Sequence, residues 1–219
     1  LERQLQDVIA IMDRHDPRKQ TALYVDEWGA WYQPEPGSTP GFLYQQNTLR
    51  DAQVAALSFN IFHRHTDRIK MANIAQMVNV LQAVILTDKE KMILTPTYHA
   101  FAMYRPFREA TPFPVSVSQA EYRHGGIALP LIDVSAARGQ DGKLVLAIVN
   151  PDPKRAVTVR TNLPGRSARG RILAAGRMDA HNSFDHPDAL TPQAFHGNFE
   201  NGRAVFQMPA MGVAVVVVE

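Results

Sequence analysis

The periodicity of apolar residues changes once along this chain, close to Arg105. Before that point strand-like and helix-like segments alternate, and this order predicts parallel strands joined by crossover helices. After Pro106 the apolar runs are short, β-rich and separated by turn residues, a pattern typical of an antiparallel β-sandwich. We therefore expect an α/β domain over residues 1–106 and an all-β domain over residues 107–219.

Six segments of the first part show regular periodicity. Helices are expected at Glu2–Arg14, at residues 48–65, and from an N-cap at Thr95 with Pro96 in the first turn. Strands are expected at Thr21–Val25, as a buried parallel strand, and within residues 67–76, with a second apolar segment at residues 80–87. The loop QPEPGSTPG between the first strand and the second helix is too rich in Pro and Gly to be regular.

Seven runs predict strands in the second part. They are PVSVSQAEY, IALPLIDVSAAR, KLVLAIVNPD, AVTVRTNL, RGRILAAG, RAVFQMP and GVAVVVVE. Turn-forming stretches such as GQDGK, NPDPK, LPGRS and ENGR lie between them. A helix between Lys143 and Val159 would contradict the sandwich.

Composition excludes several classes of partner. The 219 residues include no cysteine, which excludes disulfides and cysteine-based chemistry and leaves the compartment open between cytoplasm and periplasm. No apolar run approaches the roughly 20 residues that span a membrane. A net charge of +2 is too weak to indicate nucleic acid. The basic stretch Lys154–Arg177 is interpreted as a solvated sheet face, with a patch for an acidic polymer as the alternative.

The stretch LYVDEWGAWYQ, Leu23–Gln33, places two acids at the carboxyl end of the first predicted strand. Chemistry collects at such strand ends in proteins with parallel sheets. Successive side chains of a regular strand point to opposite faces, so Asp26 and Glu27 cannot both point into one site. The aromatic residues that follow, Trp28, Trp31 and Tyr32, offer flat surfaces suited to a sugar ring. The alternative is that the acids only close the strand and the aromatics belong to the core.

Four linked motifs resemble the catalytic barrel of glycoside hydrolase family 51, the α-L-arabinofuranosidases. They are VDEWGAWY, NTLRDAQVAALSFNIF, DRIKMANIAQMVNVLQAVILT and LTPTYHAFAMY, and AHNSFDHPDAL resembles the family's C-terminal sandwich. The resemblance covers essentially the whole chain. It implies the late part of a (β/α)8 barrel followed by an antiparallel β-sandwich, and a retaining enzyme that releases terminal arabinofuranose from arabinan or arabinoxylan.

The resemblance also implies roles for three residues. Glu27 matches the family's nucleophile, Trp31 the aromatic residue that lines the sugar subsite, and Gln76 a residue that contacts the sugar. No cofactor and no metal are implied. Retaining hydrolysis needs a second carboxylate about 5–5.5 Å from the first. In the family that acid/base lies in an Asn-Glu pair on an earlier strand, and no such pair precedes Glu27.

We therefore expect half an active site here, inactive without the first half of the barrel. The expected partners are that barrel half, an arabinose-containing glycan and, through unpaired strand edges and apolar helix faces, a second copy of the chain. The alternative function is a non-catalytic sandwich that supports the barrel or binds carbohydrate. Aromatic residues are sparse after Trp31, which argues against a carbohydrate-binding face. A metal site among the eight histidines is not favoured, since His63 and His65 do not share a helix face.

Overall fold

The computed structural model describes residues 1–118 and 121–219. The helices are α1 (Glu2–His15), α2 (Leu49–Arg64) and α3 (Pro96–Met103), with a 3-10 turn at Arg105–Phe107. The first strands are β1 (Leu23–Trp28), β2 (Ile69–Ile74), β3 (Ile85–Asp88), β4 (Lys91–Leu94) and β5 (Thr111–Phe113). The next are β6 (Glu121–His124), β7 (Ile127–Pro130), β8 (Asp133–Arg138), β9 (Leu144–Val149) and β10 (Val157–Pro164). The last are β11 (Ala168–Leu173), β12 (Gln193–His196), β13 (Asn198–Glu200), β14 (Arg203–Met208) and β15 (Val213–Val218).

Strands β1 and β2 pair in parallel, with α2 between them in sequence. This confirms the expected strand–helix–strand order for that pair. The apolar segment at residues 80–87 behaves differently, because β3 and β4 form an antiparallel hairpin. Lys89 lies in the tight turn with φ +54°, and a turn this short joins antiparallel strands only. The expectation of parallel strands throughout the first part was therefore wrong for this segment.

Strand β1 is longer and more exposed than its sequence suggested. It ends at Trp28, so Asp26 and Glu27 lie within the strand and not after it. Leu23 and Val25 pack against the apolar core that contains α2 and α3. Tyr24, on the opposite face, is 56% exposed. The strand was expected to be buried on both faces, but in the described part of the chain only one face is covered.

A buried arginine fixes the ends of α1 and β2. The Arg68 side chain is fully buried and donates to Asp13 over 2.7 Å and to Asp16 over 2.8 Å. The Asp16 carboxylate also accepts from the Thr21 backbone N–H over 2.7 Å. The Thr21 and Arg68 hydrogen bonds together lower the pKa of Asp16 to about 2. The start of the parallel pair is therefore tied to the end of the first helix.

The described residues of the second part form antiparallel sheets, as the sequence predicted: two large sheets and the separate two-stranded hairpin of β6 and β7. The larger has the order β12-β11-β15-β9-β8-β5, and the smaller the order β10-β14-β13. The region Lys143 to Val159 contains β9 and the start of β10 and no helix, where a helix would have contradicted the sandwich. The strand predicted for the run PVSVSQAEY was only partly correct, because residues 114–118 form no strand. Gln119 and Ala120 lie outside the described residues.

The six-stranded sheet is apolar on both faces. Alternate residues of β15 divide between two cores, with Val213 and Val215 on one side and Ala214 and Val216 on the other. The first core contains α2 and α3, including Ala52, and the second is closed by the smaller sheet. The structure therefore has three layers, with the six-stranded sheet in the middle, the helices on one side and the smaller sheet on the other. The core around the helices continues across the expected boundary at residue 106.

Backbone carbonyls of the second part cap helix α2. The first N–H groups of a helix have no partner within the helix. Those of Leu49 and Arg50 donate to the carbonyls of Ala180 and Met178 over 2.8 and 3.1 Å. These carbonyls belong to the loop between β11 and β12, residues 174–192, which we call the sandwich loop. The helix start therefore depends on a segment more than 120 residues later in the chain.

Polar side chains connect the other end of α2 to β8. Asn60 donates to the buried Asp133 over 2.6 Å, and Arg64 lies 3.1 Å from the same carboxylate. His63 forms a 2.9 Å hydrogen bond with the Ser135 hydroxyl. Burial, with a smaller effect of the Arg64 charge, lowers the pKa of His63 to about 4.

The lowered pKa of His63 predicts a loss of stability in mild acid. The unfolded chain binds this proton near pH 6.5, whereas the folded protein excludes it until about pH 4. The contribution of His63 to the free energy of unfolding should therefore be complete above pH 6.5 and fall by roughly 3 kcal/mol between pH 6.5 and about 4. Urea unfolding across that range measures it. His63→Gln should remove this part of the pH dependence, whereas the same change at the exposed His181 should not. An unchanged slope in His63→Gln would contradict the assignment.

Candidate active site

Parallel pairing brings the predicted site residues to one edge of the β1–β2 pair. Glu27 is the last residue but one of β1, and Trp31 follows three residues after the strand. Gln76 follows two residues after the end of β2. The carboxyl ends of parallel strands meet at the same edge, so all three positions lie on that side. Gln76 and Glu27 are both exposed.

A β-bulge explains how two adjacent acids lie on one surface. Val25 pairs with Ala72 and Trp28 with Ile74, so three steps along β1 match two along β2. The extra residue lets Val25 and Trp28 both pack into the core, and leaves Asp26 and Glu27 both exposed. The regular alternation expected from sequence was wrong here. Within the described residues neither carboxylate has a hydrogen-bond partner.

The three aromatic residues after the acids separate into a core group and a surface group. Trp28 is 6% exposed and packs edge-on against Phe59 and Phe62, with ring centroids 5.4 and 5.6 Å away. Trp31 is 67% exposed and Tyr32 is 38% exposed. The core interpretation is therefore correct for Trp28, while Trp31 and Tyr32 remain available to a ligand.

Two buried glutamines fix the backbone on either side of Trp31. The Ala30 N–H donates to Gln82 Oε1 over 2.8 Å, and the Tyr32 N–H donates to Gln45 Oε1 over 2.9 Å. Gln45 Nε2 also donates to the Ala30 carbonyl over 3.2 Å. Both glutamine side chains are 1% exposed. The sequence interpretation missed them, although a glutamine inside the apolar segment at residues 80–87 was a visible signal.

Helix α2 supports the same loop with its first turn. Arg50 lies over the Tyr32 ring, with its guanidinium carbon 3.6 Å from the ring centroid. Thr48 and Asp51 form a capping box, in which the Asp51 carboxylate accepts from the Thr48 N–H over 2.8 Å. Asp51 is fully buried, and this burial raises its pKa although its hydrogen bonds oppose the shift.

The face of the β1–β2 pair opposite the helices carries both apolar and polar groups. Tyr24 and Met71 are exposed there beside each other in register. Asn73 of β2 is also exposed. An uncovered face with such large apolar groups is unusual for a sheet with a crossover helix, because parallel sheets are normally covered on both sides.

No cluster of three or more metal-ligating side chains occurs in residues 1–118 and 121–219. His99 is buried on α3, whereas His181 is exposed and contacts the Asp179 carbonyl. Among the described residues no helix is long and apolar enough to cross a membrane. A cavity of about 790 Å³ lies between the two sheets, and none of Glu27, Trp31 and Gln76 lines it.

The chain matches a known protein family over most of its length. The family described as alpha-L-arabinofuranosidase C-terminal domain matches residues 26–212. A Bacteroides ovatus protein named intracellular exo-alpha-L-arabinofuranosidase is 40% identical over 211 residues, 94% of this chain and 41% of that protein. An Aspergillus niger protein named probable alpha-L-arabinofuranosidase C is 29% identical over 163 residues, 71% of this chain and 31% of that protein.

Solved structures of arabinofuranosidases also superpose on this chain. The GH51 arabinofuranosidase from Xanthomonas axonopodis pv. citri superposes with a TM-score of 0.95 at 45% identity, covering 100% of this chain and 45% of that one. The GH51 alpha-L-arabinofuranosidase from Thermotoga petrophila superposes with a TM-score of 0.81 at 22% identity, which is a likeness of fold. The chain spans less than half the length of the proteins that it covers in this way.

The two tryptophans should differ sharply in their contribution to stability. Trp28→Ala removes a buried ring from an aromatic cluster and should lower the free energy of unfolding by about 3–5 kcal/mol. Trp31→Ala removes an exposed ring and should change it by no more than about 0.5 kcal/mol. Urea unfolding followed by circular dichroism measures both. A large loss in Trp31→Ala would show that its ring packs against the protein.

Proposed function

The chain belongs to the α-L-arabinofuranosidases of glycoside hydrolase family 51, and we propose that it supplies the nucleophile half of a retaining active site. The substrates of such a site are terminal α-L-arabinofuranosyl residues of arabinan or arabinoxylan. The observation that carries the proposal is the exposed Glu27 at the carboxyl edge of a parallel strand pair, with the exposed Trp31 just beyond it.

In this proposal residues 1–106 are the late part of a (β/α)8 barrel and residues 107–219 its supporting sandwich. The uncovered face of β1 and β2 becomes the barrel interior, which accounts for the exposure of Tyr24 and Met71. Helix α1 supports this assignment too. It buries Leu5 and Ile9 on one side and leaves Val8 and Ile11 exposed on another, as expected of a helix with a further neighbour.

The reaction requires two carboxyl groups. The ionised Glu27 attacks the anomeric carbon, the glycosidic C–O bond breaks, and the leaving oxygen takes a proton from the second carboxyl group. Water then attacks the same carbon, gives its proton to that second group, and releases Glu27. In the proposed site Trp31 provides one wall of the sugar pocket and Gln76 donates a hydrogen bond to a sugar hydroxyl. The second carboxyl group comes from outside residues 1–219.

The proposal predicts that these 219 residues alone do not hydrolyse an aryl α-L-arabinofuranoside at a useful rate. Joined to the portion of the Xanthomonas enzyme that they do not cover, they should do so. In the joined enzyme Glu27→Ala should lower kcat by several orders of magnitude, because the covalent step is lost. Azide should partly restore turnover and give the inverted glycosyl azide.

Asp26→Asn is the matched control, since it is also an exposed carboxyl-to-neutral change on β1. It should leave most of the activity. Near-normal turnover by Glu27→Ala would exclude Glu27 as the nucleophile. Activity of the 219 residues alone, abolished by Glu27→Gln, would show that no second half is needed.

The exposed apolar groups also predict self-association of the isolated chain. Val8 and Ile11 are 43% and 57% exposed, and β1 has β2 as its one neighbour among the described residues. Covering such groups stabilises a complex by roughly 25 cal/mol per Å² of apolar surface. Light scattering at micromolar concentration should therefore show a dimer or larger species.

Val8→Glu with Ile11→Glu should shift that equilibrium towards the monomer. Arg14→Glu is the control, because it changes an exposed residue of the same helix without removing apolar surface. A clean monomer of the unaltered chain would contradict the prediction.

A further inference from the structure

Trp31 lies on an irregular loop. Its side chain is 67% exposed, and residues 29–48 contain neither helix nor strand. An exposed ring on an irregular loop ordinarily samples several positions. A pocket wall has to be rigid to contribute binding energy, because ordering it on binding lowers affinity. Any constraint on Trp31 must therefore act through its backbone.

The hydrogen bonds on either side of Trp31 supply such a constraint. Gln82 accepts from the residue before it, Ala30, over 2.8 Å. Gln45 accepts from the residue after it, Tyr32, over 2.9 Å, and donates to the Ala30 carbonyl over 3.2 Å. Three backbone groups of the two residues that flank Trp31 are thus bound by two side chains. We call this pair of side chains the glutamine clamp.

The glutamine clamp is itself attached to the helices. Gln82 Nε2 donates to the Asp51 carbonyl in the first turn of α2 over 2.7 Å, and to the Thr97 hydroxyl of α3 over 3.2 Å. A side-chain amide suits this position because it accepts and donates at the same time. One residue therefore connects the loop beside Trp31 to two rigid elements.

We propose that Gln82 and Gln45 are positioning residues for the sugar pocket, which fix the orientation of Trp31 and thereby set the KM for the arabinofuranosyl substrate. The inference rests on the proposed function, since it assigns the clamped ring to the same pocket. The competing explanation is that the two glutamines only satisfy buried backbone groups and close the loop. The two explanations differ in whether loss of the clamp moves Trp31.

Amide hydrogen exchange in the 219-residue chain tests the clamp directly. Gln82→Met keeps the length of the side chain and removes the acceptor, so the Ala30 amide should exchange about tenfold faster. Gln45→Met should in the same way speed exchange of the Tyr32 amide, whose acceptor is Gln45. Gln53→Met is the matched control, because Gln53 is also buried and donates to the Asn150 carbonyl, far from this loop in sequence. It should leave the Ala30 amide unchanged.

Time-resolved fluorescence anisotropy then reports on the ring itself. The chain has two tryptophans, and Trp28 is buried, so fast depolarisation comes from Trp31. Gln82→Met should increase its fast component, and Gln53→Met should not. Unchanged anisotropy in Gln82→Met would overturn the proposal even if the Ala30 amide exchanges faster.

Kinetics of the joined enzyme complete the test. The KM of Gln82→Met should be about ten times that of Gln53→Met, as expected for the loss of one buried hydrogen bond. An unchanged KM would overturn the role in substrate binding. If the joined enzyme with unaltered Gln82 has no activity at all, the proposed function fails, and the anisotropy result still decides whether the clamp orients Trp31.

Discussion

The six-stranded sheet has two apolar faces, and each needs a cover. Val145, Ala147 and Val149 of β9 point towards the helices, while Leu146 and Ile148 point towards the smaller sheet. Neither cover is sufficient alone, because removing one would expose a continuous strip of aliphatic side chains. The helices that position β1 are therefore held by the sandwich, and the sandwich is completed by the helices. This mutual packing joins the carboxyl edge of the β1–β2 pair, where the candidate site lies, to the six-stranded sheet.

The short apolar runs, the turn residues between them and a helix N-cap signal predicted much of the fold. Runs such as KLVLAIVNPD identified β9, and Thr95 with Pro96 identified the start of α3. The same runs concealed the third layer, because a strand that is apolar on both faces gives no sign of which partner covers each face. The hairpin of β3 and β4 was missed for a related reason. Its strands are short, and the turn uses Lys89 in a conformation usually adopted by glycine or asparagine.

The candidate site was predictable where chemistry depends on residue type, and not where it depends on register. The acid pair and the aromatic residues stood out in LYVDEWGAWYQ. The bulge that exposes both acids depends on the pairing with Ala72 and Ile74, which lie more than 40 residues away. The role of Gln45 and Gln82 was equally hidden, since their partners Ala30 and Tyr32 are identified only by contacts between distant segments.

The capping of α2 by the sandwich loop has a consequence for how such proteins can be rebuilt by gene recombination. The carbonyls of Met178 and Ala180 serve as acceptors for the first N–H groups of the helix, and Asn182 holds the same loop to the Leu94 carbonyl. A crossover between α2 and this loop would combine a helix with a loop that had not evolved with it. Parents with different loop backbones would yield a helix with unpaired N–H groups at its start. The two parts should therefore be inherited together, and exchange of whole sandwiches should succeed only between parents that share the geometry of this loop.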